Sequence, residues 1–382
     1  MAARRFSRRE FTRAVGAGLG ATLVATRLGE EFASGARLPA DAPADSIQLN
    51  ANENPYGPSK KALEAMTRSQ GVAARYPDAA EAELVEVIAK LHGVEPANVT
   101  LGCGSGEILR LAAMAFLTRG KTVVVAEPTF EAVLGYARVP AADPVKVPLT
   151  ADFRHDLPAM AKACDTRTGL VYICNPNNPT ATIVTRSELE RLLAQAPKTA
   201  TVLVDEAYHH FVEDPRYSSS TEWIGKVPNL VVCRTFSKVY GMAGMRLGYA
   251  VGTKKNIARM REHVIWNNSN ASVLAAAKAS LEDIEHVPRH REQNNSTRRW
   301  LCEEFERDGR RYIPSETNFV MVDVGGDVSA VIPKFRERKL LVGRKFPSLA
   351  NWLRISIGTK KEMESFLTAL REIVPSRTAR AA

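Results

Sequence analysis

Cysteine is scarce in this chain of 382 residues: there are five, Cys103, Cys164, Cys174, Cys233 and Cys302. The number is odd and no two are closely paired, which argues against a disulfide framework and against a zinc site. Cys174 and Cys233 close apolar, strand-like runs and read as small buried hydrophobes. Long apolar runs are missing too. The only candidate, Ala14 to Ala25, falls short of the ~20 residues a membrane-spanning helix needs. There is no internal repeat and no low-complexity tract beyond the opening segment. Although the net charge is +10, basic residues do not cluster with interleaved aromatics as in a nucleic-acid binder. The local excess from Arg289 to Arg311 is interrupted by Glu292, Glu303, Glu304, Glu306 and Asp308, which reads as a solvated helix face. An anionic small substrate suits such a balance.

Apolar residues make up 45% of the chain and charged residues 25%, the composition of a globular protein with a sizeable core. The length suggests a large and a small domain. The first 35 residues stand apart. They carry Ser7-Arg8-Arg9-Glu10-Phe11-Thr12-Arg13 followed by a Gly/Ala-rich stretch, which resembles a twin-arginine export signal, an address read by a receptor. It implies an exported or periplasmic protein that meets the export machinery transiently, with a cytoplasmic one as the alternative. A polar arm at 36–60 contains Leu49-Asn-Ala-Asn-Glu-Asn-Pro-Tyr-Gly-Pro58, a turn-rich composition.

Beyond the arm, strands and helices alternate. Apolar runs at Val99–Leu101, Thr122–Ala126, Gly169–Cys174, Thr201–Val204, Leu230–Cys233 and Leu247–Val251 predict a mainly parallel sheet covered on both faces. Residues 61–270 read as this large domain. Residues 271–382 read as a small α+β domain with two long helices, further short strands and a last helix capped by Thr359-x-x-Glu362. In open α/β sheets ligands bind beyond the carboxyl ends of the strands, and the polar groups of interest lie there.

Leu101-Gly-Cys-Gly-Ser-Gly-Glu107 is a strand end, a glycine-rich turn and a helix start, which can cradle a phosphate. It lacks the Rossmann spacing and the Walker lysine; close packing alone would also explain its glycines. Asp205 follows an apolar strand, where a buried carboxylate is costly unless it meets a cation. Tyr208 lies three residues on; a helix cap and a packed tyrosine are the alternative reading. Lys238 sits in a glycine-broken loop with Ser237 and Arg246 nearby. Desolvated, such a lysine becomes a nucleophilic amine; otherwise it is a surface residue. Asn178 stands at another strand end, in Asn175-Pro-Asn-Asn-Pro-Thr180, and Arg354 in a strand suited to pairing with a carboxylate. A phosphate cradle, an acid, a phenol and an activated lysine together fit pyridoxal 5'-phosphate, held by the lysine as a Schiff base.

With these motifs, and with Arg75-Tyr-Pro-Asp78, Glu127-Pro-Thr-Phe130 and Ser315-Glu-Thr-Asn-Phe-Val320, the chain resembles the fold-type I pyridoxal-phosphate aminotransferases, most closely the histidinol-phosphate aminotransferase group. The resemblance implies an α/β, aspartate-aminotransferase-like large domain with a mainly parallel sheet plus a small α+β domain. It implies transfer of an amino group between a small-molecule amino donor and a 2-oxo acid acceptor, and a homodimer. Lys238 would form the Schiff base and shuttle the proton, Asp205 would pair with the pyridine nitrogen, and Tyr208 and Asn178 would bond the ring hydroxyl oxygen. Gly104, Ser105 and Gly106 would contact the phosphate, with Ser237 and Arg246 from the far side and Tyr76 from the neighbouring subunit. Phe130 would stack on the ring. Arg354 would clamp the substrate's anionic group, and Arg344, Tyr56 and Asn54 are further substrate candidates. No metal is implied.

The chain departs from the group's pattern at Ala181, where glycine is usual, at Gly106-Glu107, where Asp-Glu is usual, and in the short segment after Arg344. A lyase, decarboxylase or oxidase on the same scaffold would share these residues, and a non-catalytic cofactor-binding regulator is a third reading.

Overall fold

The order of elements follows from runs of β-branched residues set between amphipathic helices. The structure, a computed structural model, describes residues 45–375; the signal expected at 1–35 and the first part of the arm lie outside the described residues. Twelve strands are present among them: β1 (Ile47–Leu49), β2 (Val99–Gly102), β3 (Thr122–Glu127), β4 (Asp143–Pro148), β5 (Thr168–Cys174), β6 (Thr201–Asp205), β7 (Leu230–Thr235), β8 (Gly248–Gly252), β9 (Tyr312–Ile313), β10 (Phe319–Asp323), β11 (Leu340–Val342) and β12 (Trp352–Ser356).

Seven strands form one sheet in the order β2-β8-β7-β6-β5-β3-β4. The run from β7 to β4 is parallel, and β8 lies antiparallel to both its neighbours. Because side chains alternate along a strand, each strand feeds two cores. Leu170, Tyr172 and Cys174 of β5 point to one, packed with the helix Ser105–Phe116, while Val171 and Ile173 point to the other, with the helix Arg186–Gln195. Strand β4 was not legible in the apolar pattern. It is an edge strand with mostly exposed residues and prolines at 144 and 148, a composition that edge positions tolerate.

The second layer is smaller. Strands β12-β10-β9 form an antiparallel sheet against the helices His286–Arg307 and Lys360–Ile373, with Leu301, Phe305, Phe335 and Phe366 in its core. The arm contributes β1, which pairs in parallel with β11 as a separate two-stranded sheet. The last helix carries the expected capping box: Thr359 Oγ1 accepts from the Glu362 N–H, and the Glu362 carboxylate accepts from the Thr359 N–H. The basic stretch around 289–311 is not a simple solvated face. His286, His290, Asn294, Arg298, Leu301 and Phe305 are buried, and Arg298 and Arg299 both pair with Glu213.

Candidate active site

Lys238 lies in the loop between β7 and β8, and the polar arm crosses over it. Its Nζ donates to the carbonyls of Ala51 (3.2 Å) and Asn52 (3.0 Å). Burial, and then the nearby Arg354 guanidinium, push the amine down to about 8, because desolvation and like charge both disfavour the ammonium form. The arm is fixed there by backbone-seeking amides. Asn318 Nδ2 donates to the carbonyls of Asn52 and Glu53, and Ser356 Oγ accepts from the Asn52 N–H. Gly241, at φ +68°, lies against the Gly57 carbonyl so closely that any Cβ would collide with it. Glycine is needed for the left-handed conformation and for that approach.

The glycine turn after β2 leads directly into the helix Ser105–Phe116, so the amides of Ser105 and Gly106 are unpaired first-turn donors. Gly104 has φ +78°, and a Cβ there would run into the Arg246 guanidinium. Arg246 Nη1 in turn donates to Ser237 Oγ (3.3 Å) and to the Ala243 carbonyl (2.8 Å). The structure therefore brings the turn Gly104, Ser105 and Gly106 against Arg246, and Arg246 against Ser237. The donor set of this cluster, a helix N-terminus plus a guanidinium and a hydroxyl, is that of a phosphate site. Glu107 closes the loop: its carboxylate accepts from the Cys103 N–H and from Asn268.

Asp205 ends β6, 2% exposed. Its carboxylate accepts from Tyr172 Oη (3.0 Å) and the Ala207 N–H (3.1 Å) and forms no ion pair among the described residues. Burial raises it to about 6, against the two hydrogen bonds that lower it. Its neighbour Glu206 is equally buried but is held by Arg234 at 2.8 Å. Two adjacent acids thus differ in one respect: Glu206 has its cation within the chain, and Asp205 does not. A protonated pyridine nitrogen is the cation that would complete Asp205. Together with the phosphate-type donor cluster and a lysine amine kept near neutrality, this carboxylate fits pyridoxal phosphate.

Tyr208 is buried, and its hydroxyl accepts from Asn52 Nδ2 (3.1 Å) and Asn178 Nδ2 (3.4 Å). Its phenol is raised by burial. Asn178 Oδ1 accepts from Arg354 Nη1 at 2.7 Å, so Tyr208, Asn178 and Arg354 form one chain of contacts. Ala181, three residues past Asn178, keeps a left-handed φ of +64° and is fully buried. Lys238 Nζ stands 5.5 Å from the centre of the Tyr208 ring.

Arg354 is 9% exposed and forms no ion pair among the described residues. It donates to Asn178 and to the Asn50 carbonyl (2.8 Å), and its buried Nε–H has no partner. Burial pulls it down to about 10. Arg344 is paired with Glu131.

The remaining candidates lie less centrally. Phe130 is 38% exposed and Tyr76 is 78% exposed, and no hydrogen bond or ring contact joins Tyr76 to the other site residues of its own chain. Tyr56 meets His290 edge-on, and the Asn54 amide is committed to the Val239 carbonyl and His290 Nδ1, which makes Asn54 a clasp between arm and lysine loop. Sequence reasoning passed over Asn52, Tyr172, Glu131 and Phe346. For Tyr172 a signal existed: it has the same parity along β5 as Cys174, which pairs with Asp205 in register. Asn52 and Glu131 are brought in by contacts distant in sequence, to Tyr208 and Arg344, and Phe346 by the stacking of Arg344 and Arg354 on its ring.

Residues 44–370 match the family model described as aminotransferase class I and II. The chain is 40% identical over 337 residues to a histidinol-phosphate aminotransferase of Moorella thermoacetica, covering 86% of each protein. Among solved structures, it is similar to histidinol-phosphate aminotransferase from Sinorhizobium meliloti in complex with pyridoxal-5'-phosphate, with a TM-score of 0.81 and 27% identity over 87% of this chain and 91% of that one. It shares its fold with L-threonine-O-3-phosphate decarboxylase from Porphyromonas gingivalis, with a TM-score of 0.73 and 22% identity over 85% and 98%.

Proposed function

The chain belongs to the class I and II aminotransferases and works with pyridoxal phosphate, and from that premise we propose that its amino donor is a small amine with one anionic end, as in histidinol phosphate or an α-amino acid. The acceptor is a 2-oxo acid. The observation that carries this reading is Arg354, a buried cation with an unpartnered Nε–H and no carboxylate of its own, three contacts from the lysine. A guanidinium so placed gains most from a planar anion supplied by the substrate.

Pyridoxal phosphate supplies an aldehyde that amines condense with and a protonated ring that draws electrons from the carbon next to that amine. Around it the chain's residues divide the work. Gly104, Ser105, Gly106, Ser237 and Arg246 would hold its phosphate, Asp205 its ring nitrogen, Tyr208 and Asn178 its ring hydroxyl oxygen, and Phe130 one ring face. Asp205, buried and bonded to Tyr172, keeps its negative charge in a fixed place. Lys238 moves the proton at Nζ: with its amine pushed down to about 8, it both accepts and releases a proton near neutral pH, the condition for efficient general acid–base work. Arg354 orients the donor by its anionic end, so that its amine faces Lys238.

Tyr76, exposed on its own chain, would act in the site of a second copy, in a homodimer. Export through the opening arginine pair would carry the folded dimer with its cofactor in place. Fractionation of a tagged full-length protein tests this: cytoplasmic retention of the unprocessed chain would refute it.

The enzyme is tested by a screen of amino donors and 2-oxo acids on purified protein. Wild type should show the visible band of bound cofactor and convert it to the amine form with a donor. In Lys238→Ala the band should vanish and turnover should fall by roughly 10³-fold or more, since loss of proton transfer alone costs about 10²–10⁴. Release of carbon dioxide or ammonia without any amine form of the cofactor would instead favour a lyase or decarboxylase.

A further inference from the structure

The anion anchor of this site contains three charged groups. Arg354 and Arg344 both lie over Phe346, their guanidinium carbons 5.2 and 4.3 Å from the ring centre. One aromatic side chain therefore holds both cations within the span of one small molecule. They are not equivalent. Arg354 is deeply buried and has no carboxylate partner among the described residues. Arg344 is about one-third exposed and is paired through Nη2 with Glu131. Glu131 follows directly after Phe130, the residue expected over the cofactor ring, and opens the short helix Ala132–Ala137. It thus reaches from the large sheet's loop to the loop after β11. Arg344 and Glu131 also act electrostatically on Arg354, in opposite directions. The two guanidiniums and one carboxylate leave the trio at a net charge of +1.

From this we propose that Glu131 is a specificity determinant that matches the anchor to a single negative charge, so the preferred donor is a 2-amino monocarboxylic acid rather than a phosphate ester or a dicarboxylic acid. The inference rests on the aminotransferase reading and names the class of donor within it. A carboxylate brings one charge and two coplanar oxygens, which Arg354 satisfies alone in bidentate fashion. A phosphate monoester brings a charge of about −1.5 to −2 near neutral pH and three acceptor oxygens. Its second charge needs Arg344, and there it meets the Glu131 carboxylate. Two anions would then compete for one guanidinium, one of them part of the protein. The half-exposed pair itself is weak, so a doubly charged donor is disfavoured and not excluded. Glu131 acts on the substrate through Arg344 and through its own repulsion of a second anion.

Histidine and histidinol phosphate test this, because they share the imidazole and the amine and differ in the anionic end. The kcat/KM of each is measured in the holoenzyme and in Glu131→Gln, which keeps the size of the side chain and removes its charge. Binding of inorganic phosphate to the two holoenzymes is measured beside them by titration calorimetry. Wild type should prefer the carboxylate donor. In Glu131→Gln the ratio of phosphate donor to carboxylate donor should rise about five- to tenfold, and phosphate should bind more tightly by a similar factor. A ratio and a phosphate affinity that are both unchanged, or a wild type that prefers histidinol phosphate, would overturn the inference. If no donor at all is converted, the aminotransferase reading fails instead; phosphate binding needs no turnover and still decides the role of Glu131.

Discussion

Neighbouring residues of one type take different roles here according to what surrounds them. Asp205 and Glu206 are consecutive, buried acids at the end of one strand, yet only Glu206 has a guanidinium against it. Strand alternation sends them to opposite faces. Asp205 therefore carries an uncompensated charge when the cofactor is removed. Its carboxyl is raised to about 6 from an ordinary 3.8, so the folded protein binds the proton more tightly than the unfolded chain. Its contribution to stability is present below about pH 4 and is lost as the pH rises through about 6. In cofactor-free protein, Asp205→Asn should not feel this loss. Urea midpoints between pH 4 and 7 should show the variant gaining on wild type by roughly 2–3 kcal/mol, at about 1.4 kcal/mol per unit of pKa shift. A constant difference across that range would mean that Asp205 meets a cation within the chain.

Among the elements, the arm and the lysine loop form a clasp. The arm is polar, and its strand pairing among the described residues is limited to the three residues of β1, which lie beside β11. What holds the rest is directional: Asn54 to Val239, Asn318 to Asn52 and Glu53, and the contact of Gly241 with Gly57. Gly241→Ala would force a methyl against a backbone carbonyl at a positive φ. Such strain and overpacking cost on the order of 1–3 kcal/mol each. We expect a fall in stability of about that size by urea unfolding. Because the arm's carbonyls hold Lys238 Nζ, cofactor retention on dialysis should fall as well. A variant that unfolds earlier yet keeps its cofactor as tightly as wild type would show that the clasp serves the fold alone.

For the whole molecule, the site gathers residues from the seven-stranded and the three-stranded sheets. The large sheet supplies the glycine turn, Asp205, Asn178 and the lysine loop; the small sheet supplies Arg354, and the loop after β11 supplies Arg344. Tyr76 is left facing outward. If it serves a second copy, Lys238→Ala and Tyr76→Ala proteins, each nearly inactive, should regain activity when mixed and allowed to exchange subunits. The mixed dimer holds one site with both residues intact. No recovery despite proven exchange would place Tyr76 outside catalysis.

Local chemistry made much of this readable from the chain. Periodic apolar runs marked six of the seven strands of the large sheet, because strands buried on both faces are continuously apolar. The capping box at Thr359 marked a helix start, because it satisfies donors within four residues. Glycine turns, a strand-end acid and a loop lysine announced a cofactor by their types alone. The edge strand β4 stayed hidden, since an exposed strand needs no apolar pattern. The Asn-rich arm announced turns and gave no hint that Asn52 would reach Tyr208, 156 positions away. The pairing of Arg344 with Glu131, 213 positions apart, likewise depends on how two loops meet. Residue types are local and leave their mark in the sequence; which charges neutralise one another depends on distances of a few ångströms that only the packed chain sets.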